Sequence, residues 1–217
     1  MTGEQNQERC ALGTALHLLL ALLAAPPAAW LASRVAVRYA AANGAPILIA
    51  MALAFAWAAA IAPDWPVLGM SLALGWTLVA LAAVDLASFR LPDLLTLPLI
   101  LAGLGATALM PARPMLDHLA GAGAGWGSLV VLALAYRWWR GVEGVGQGDA
   151  KLLGAAGAWL GWRPLPSVLL IACAAAFVWV GFRTAARGRA ALNERLAFGA
   201  PLCLAIWTVW LHGPLAI

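Results

Sequence analysis

Two of the nine acidic residues in this chain stand apart, because each lies against apolar sequence rather than in a polar segment. Asp85 ends an apolar run at 81–84 and is followed by two further apolar residues. Asp149 closes a glycine-rich stretch and leads directly into another apolar run. A carboxylate in apolar sequence is energetically costly, so Asp85 is a candidate functional group. Asp149 is the second isolated acid, although a glycine-rich stretch alone is weak evidence.

Each aspartate also has a purely structural interpretation. Asp85 can be an interfacial carboxylate that pairs with Arg90. Asp149 can be the N-cap of a helix that follows a flexible loop. In that loop, Gly146 and Gly148 can adopt backbone angles closed to other residues and let another segment approach closely.

Together the two aspartates suggest the chemistry of an aspartic protease. Two carboxyl groups held close together cannot both ionise cheaply, so the pair shares one proton. The ionised member takes a proton from water while the protonated member polarises the scissile carbonyl. This chemistry needs no metal and no cofactor, and we expect neither here.

The elements that position these residues are predicted to be membrane helices. Hydrophobic residues make up 64% of the 217 residues and charged residues only 10%, far from the composition of soluble domains. A spanning helix needs about 20 apolar residues, and lipid leaves the helix as the sensible spanning element. The predicted fold is an all-α polytopic helix bundle with about eight transmembrane helices, at 11–33, 45–62, 66–87, 94–111, 119–139, 149–162, 165–186 and 197–213.

The predicted helices divide the chain into a polar tail at 1–10, an N-terminal transmembrane pair at 11–62 and a catalytic bundle at 63–217. Eight spans place most basic residues on one side of the bilayer, which is then cytoplasmic. These are Arg34, Arg38, Arg90, Arg137, Arg140, Lys151, Arg183, Arg187, Arg189 and Arg195, against Arg9, Arg113 and Arg163 opposite. Asp85 and Asp149 both fall at the cytoplasmic face.

Other site types have little support in the sequence. The net charge of +4 comes from residues between apolar runs, and no basic stripe indicates a nucleic-acid partner. Cysteines and histidines are few and scattered, without the spacing of a metal site. We interpret Cys173 and Cys203 as small buried hydrophobic residues and His118 as a packing or interfacial residue.

Three segments resemble the type IV prepilin leader peptidases. The segment 83–99, with Asp85 followed by Pro92 and Asp93, is similar to that around the family's first catalytic aspartate. The segment 145–154 is similar to the second, the G-x-G-D motif, which presenilin-type proteases share. Phe198-Gly199-Ala200-Pro201 resembles the family's late Pro-Phe-Gly-Pro stretch, although Ala197 and Ala200 stand where prolines or bulkier residues are expected.

The resemblance implies Asp85 and Asp149 as catalytic residues. It also implies a set of residues that bind substrate or support the motifs: Gly146, Gly148, Lys151, Pro92, Asp93, Phe198, Gly199 and Pro201. The implied activity is removal of a short basic leader from prepilins or pseudopilins of type IV pili or type II secretion. The implied location is the bacterial inner membrane, with the cut made at its cytoplasmic boundary.

Some features depart from the family or have plainer explanations. The link 34–44 is too short for the family's cysteine-bearing domain, which places N-methylation by this chain in question. Asp93 follows Pro92 and is predicted to be a helix N-cap; Lys151 is predicted to reach the lipid headgroups. The alternative functions are a small proton-coupled transporter, an inactive assembly factor on the same fold, and a protease with other substrates.

Overall fold

The structure, a computed structural model, describes residues 44–61, 64–110, 113–141, 146–188 and 195–215. Every regular element within these ranges is an α-helix. The helices are α1 (Gly44–Ile61), α2 (Trp65–Ser88), α3 (Asp93–Ala108), α4 (Met115–Arg140), α5 (Gln147–Leu160), α6 (Leu165–Arg187) and α7 (Gly199–His212). They confirm seven of the predicted segments. The tail at 1–10 and the helix predicted at 11–33 lie outside the described residues, so the count of about eight stays a prediction.

Three of these helices, α2, α4 and α6, are long and apolar enough to cross a membrane. Their outward surfaces carry large apolar side chains, as expected where lipid is the solvent. One expectation about burial is wrong: Cys173 on α6 is exposed. An apolar run that faces lipid has the same composition as one that faces the core, so sequence alone does not separate the two.

The chain divides into two compact units, one up to Ala83 and one from Val84 onward. The first contains α1 and most of α2, which bury large apolar side chains such as Met51 and Leu74. The Ser71 hydroxyl on α2 donates a hydrogen bond to the carbonyl of Val67, 2.8 Å away. A polar group inside an apolar helix is thus satisfied by its own backbone. The predicted division after residue 62 stays a prediction.

The second unit is organised around α5, which packs against α3, α4, α6 and α7. Residues 152–159 of this helix are all buried. At 14 residues α5 is short for a full span. Its burial fixes the position of its first turn, where Asp149 lies.

Helices α4 and α5 approach each other through glycines. A β-carbon at Gly121 of α4 would lie 2.6 Å from the carbonyl carbon of Gly161 and 2.7 Å from the Gly157 oxygen. Gly125, one turn further along α4, lies equally close to the backbone at Leu153. Small residues at this spacing let the helix backbones come into contact. Close packing of this kind is common between membrane helices, because lipid provides no hydrophobic driving force for their association.

The far end of α5 is held by aromatic and polar contacts. The Trp159 indole donates a hydrogen bond to the Leu99 carbonyl at 2.9 Å and packs edge-to-face on Trp210, with ring centroids 5.4 Å apart. His118 of α4 hydrogen-bonds through Nδ1 to the Ala158 carbonyl at 3.0 Å, which confirms its predicted packing role. These contacts anchor α5 opposite the end that carries Asp149.

Candidate active site

Asp85 lies in the last turn of α2 and is only 5% exposed. Its Oδ2 atom accepts a hydrogen bond from the backbone N–H of Ala200, 3.0 Å away, and the N–H of Gly199 also reaches the carboxylate. Both donors belong to the first turn of α7. A helix N-terminus has free N–H groups and a partial positive charge, so it stabilises a carboxylate placed there. Asp85 is therefore the side-chain cap of α7.

Gly199 makes this contact sterically possible. A β-carbon at residue 199 would lie 2.8 Å from Asp85 Oδ2 and 3.0 Å from Leu91 Cδ1. Such distances are too short for a carbon atom, so a larger residue would displace the carboxylate. Within the late motif, residue 199 must therefore be a glycine if the Asp85 carboxylate is to keep its observed position.

Asp149 lies in the first turn of α5, where it is half-buried. The N-cap of this helix is Gly146, whose carbonyl accepts the Asp149 N–H at 3.1 Å. The interpretation of Asp149 as N-cap is therefore wrong. The structure places it as the third residue of the helix, where a carboxylate still interacts favourably with the helix dipole.

The motif glycines are required for space rather than for unusual backbone angles. Neither Gly146 nor Gly148 has a positive φ angle, which corrects one of the two roles expected for them. The other role is confirmed at Gly148, where a β-carbon would lie 2.8 Å from Leu91 Cβ. At Gly146, a β-carbon would lie 3.2 Å from Oδ2 of Asp149, so a side chain there would press on the carboxylate.

Leu91 connects the segments that carry the two aspartates. Its side chain packs against both Gly148, next to Asp149, and Gly199, next to Asp85. It lies in the short link between α2 and α3, half-buried under these contacts. One leucine thus sets the spacing between three chain segments that are far apart in sequence.

The two carboxylates interact electrostatically with each other, and both act on the thiol of Cys203. Cys203 is buried, as predicted, one turn along α7 from Gly199. The two aspartates therefore share one small site at the same end of the bundle. An arrangement of this kind can bind one proton between two carboxyl groups and activate a water molecule.

Asp93 and Lys151 form an ion pair beside this site, with Lys151 Nζ and Asp93 Oδ1 2.6 Å apart. The N-cap of α3 is Pro92 and Asp93 is its first helical residue, so the prediction of an Asp93 N-cap is wrong. Its carboxylate is free to pair because the Pro92 carbonyl already accepts the first helical N–H groups. Lys151 was predicted to reach the lipid headgroups, but in the structure its ammonium group pairs with the Asp93 carboxylate.

The chain is similar to known proteins over the part of the sequence that carries this site. A profile described as "Type IV leader peptidase family" matches residues 72–181, a range that contains both aspartates. The chain belongs to the type IV leader peptidase family. No solved structure matches it significantly.

Several similar proteins carry the name "prepilin leader peptidase/N-methyltransferase". One from Aeromonas hydrophila is 40% identical over 167 residues, which are 76% of this chain and 57% of that protein. One from Burkholderia pseudomallei (strain 1026b) is 43% identical over 122 residues, 56% of this chain and 39% of that protein. One from Klebsiella pneumoniae is 45% identical over 116 residues, 54% of this chain and 50% of that protein. The chain thus spans about half the length of these relatives.

The remaining motif residues of this family member shape the start of α7. Phe198 is its N-cap, and the Phe198 carbonyl accepts the Leu202 N–H at 3.1 Å. Pro201 lies in the first turn, where a residue without an N–H is tolerated. Ala200 stands where the family resemblance expects proline, and its N–H is the one bonded to Asp85. A proline at this position could not donate the bond, because it has no N–H group.

Sequence reasoning missed three residues of the site. Ala200 bonds to Asp85, Leu91 packs against the glycines beside the two aspartates, and Cys203 lies within their electrostatic reach, yet each is an apolar residue among many. For Leu91 one signal was available: it lies in a link of only four residues between α2 and α3, directly before the motif proline. The other two are recognisable only once α7 is packed against α2.

Proposed function

We propose that this chain is an aspartic endopeptidase that removes the basic leader from type IV prepilins or pseudopilins at the cytoplasmic boundary of the inner membrane. The observation that carries the proposal is the shared site of Asp85 and Asp149, two buried or half-buried carboxylates within electrostatic reach. Membership of the leader peptidase family and the names of the similar proteins support the choice of substrate.

In the proposed reaction one carboxyl group is ionised and the other protonated. The ionised carboxylate takes a proton from a bound water, and the water oxygen attacks the scissile carbonyl. The protonated carboxyl donates a hydrogen bond to the carbonyl oxygen and so stabilises its developing negative charge. Collapse of the tetrahedral intermediate breaks the C–N bond, and a proton from the pair passes to the departing amine. The two groups titrate as one unit.

The proposed orientation rests on charge. Asp85 and Asp149 lie at the end of the bundle where the C-terminus of α2 meets the N-termini of α5 and α7. Arg137 and Arg140 in the last turn of α4 are separated from α5 only by the short link 141–146. A basic boundary of this kind is typical of the cytoplasmic side. The proposal concerns hydrolysis alone, because a pair of carboxylates offers no means of methyl transfer.

The test uses the full chain in proteoliposomes with a co-reconstituted prepilin. We expect Asp85→Asn and Asp149→Asn each to abolish leader removal, because an amide neither shares the proton nor accepts one from water. The matched control is Asp117→Asn, at the opposite end of α4, where the amide oxygen can still accept the Trp162 indole N–H. Full cleavage by either active-site variant defeats the proposal, and transport without proteolysis favours the carrier alternative.

A further inference from the structure

Phe89, directly after α2, adopts an unfavourable backbone conformation. Its φ angle is 53°, and within the described residues no other non-glycine residue has a positive φ. The left-handed region costs a residue with a β-carbon about 1–2 kcal/mol, and helices that end in it usually have glycine there. Its N–H bonds to the Asp85 carbonyl at 2.8 Å. The turn that follows Asp85 is therefore built on a bulky residue at a position suited to glycine.

Burial in the core does not offset this cost, because 48% of Phe89 is exposed. Its side chain instead lines a half-open cavity of about 400 Å³. Leu86 of α2 and the aromatic residues Trp179 and Phe182 of α6 also line this cavity. Strained residues cluster at functional sites, so a strained aromatic residue that lines a cavity indicates that its side chain serves function rather than stability.

The cavity adjoins the candidate active site. Leu86 follows Asp85 directly along α2. Ala197, another lining residue, precedes the α7 N-cap and is two positions from Gly199, which touches the Asp85 carboxylate. A peptide bond held at the two aspartates would have its neighbouring residues within reach of this cavity.

The lining of the cavity distinguishes the two sides of such a substrate. Arg183 and Arg187, one turn apart at the end of α6, line it together with the apolar residues. The aromatic lining favours apolar side chains, and none of the lining residues that the structure describes is an acid that could pair with a basic leader. A segment with a basic leader on one side of the cut and an apolar helix on the other fits in only one direction.

From these observations we infer that the cavity is the subsite for the first apolar residue on the carboxyl side of the scissile bond. Phe89 is a specificity-determining residue of this subsite. The inference rests on the proposed peptidase function and adds the direction in which the substrate lies across the aspartates. The basic leader then extends away from the end of α6.

The first experiment compares wild type, Phe89→Gly and Phe89→Leu on two prepilin peptides that differ after the cut, one with phenylalanine and one with alanine. Wild type prefers phenylalanine. Glycine relieves the backbone strain, so Phe89→Gly keeps or raises the apparent Tm while its preference falls about tenfold, mainly through KM. Phe89→Leu retains part of the preference. The control is Phe177→Ala, an exposed phenylalanine of α6 that does not line the cavity. An unchanged preference in Phe89→Gly overturns the inference.

The second experiment does not depend on catalysis. In the full chain carrying Asp85→Asn and Asp149→Asn, Phe182 is replaced with the photo-cross-linker benzoylphenylalanine, and an uncleaved prepilin is added in proteoliposomes. Cross-links to residues on the carboxyl side of the cut support the inference even if the wild-type chain cleaves no prepilin. Cross-links to the leader, to phospholipid alone or to nothing overturn it, whatever the peptidase assay shows.

Discussion

Gly199 touches the carboxylate of Asp85 so closely that a β-carbon at residue 199 would lie 2.8 Å from Oδ2 and 2.9 Å from Cγ. The contact joins the C-terminal turn of α2 to the N-terminal turn of α7, 114 positions later in the chain. Because the N–H groups of Gly199 and Ala200 both reach Asp85, the same contact sets the direction of the carboxylate. Gly199 therefore helps to set the position of the Asp85 carboxylate.

Gly199→Ala is expected to lower leader cleavage by about 100-fold, since a displacement of a reacting group by an ångström has an effect of that size. The folded bundle should persist, because only the Asp85 side chain and the tip of Leu91 must move. Gly181→Ala is the matched control: that helical glycine has open space around it, and alanine there raises stability by about 0.5–1 kcal/mol. Wild-type turnover by Gly199→Ala would contradict the role assigned to the contact.

Leu91→Ala is expected to lower both cleavage and stability. The side chain fills the space between Gly148 and Gly199, so its removal loosens the segments of both aspartates. Because Leu91 is half-buried, the loss of stability should be about 1–2 kcal/mol, below the range for a fully buried leucine. The comparison is Leu94→Ala, where 63% of the leucine is exposed. Equal effects of the two substitutions on kcat would argue against a positioning role for Leu91.

Gly157→Ala is expected to destabilise the packing of α4 on α5, because a β-carbon there would overlap the carbonyl group of Gly121. Overpacking of this kind costs about 1–3 kcal/mol. Thermal unfolding in detergent should show a lower apparent Tm, accompanied by loss of cleavage as Asp149 moves with α5. Gly123→Ala lies on a face of α4 with open space and should leave the apparent Tm and the cleavage rate unchanged. An equal fall in Tm in this control would show that the packing of α4 on α5 does not cause the effect of Gly157→Ala.

The ion pair between Lys151 and Asp93 is expected to contribute little to stability. Both side chains are partly exposed, at 28% and 56%, and such pairs are typically worth about 0.2–1 kcal/mol. A double-mutant cycle of Lys151→Met and Asp93→Asn, read from reversible denaturation in detergent, measures the coupling. High salt should reduce it. A coupling energy well above this range, or complete loss of cleavage in every variant, would place the pair in the chemistry.

The sequence by itself determined the helices and the two candidate catalytic carboxylates. Lipid does not satisfy free backbone groups, so apolar runs of this length had to be helical, and the seven observed helices lie within a few residues of their predicted bounds. Asp85 was recognisable because a carboxylate in apolar sequence is expensive unless it has a function, and Asp149 because it ends a G-x-G-D motif.

Only the tertiary structure decided how those groups are held. Asp93 pairs with Lys151 instead of capping α3, the motif glycines provide space instead of unusual backbone angles, and Leu91 spans both aspartate segments. Each of these facts is a distance between atoms that belong to different helices. Local sequence sets the conformation of one helix, whereas the close packing of several helices sets which side chains meet between them.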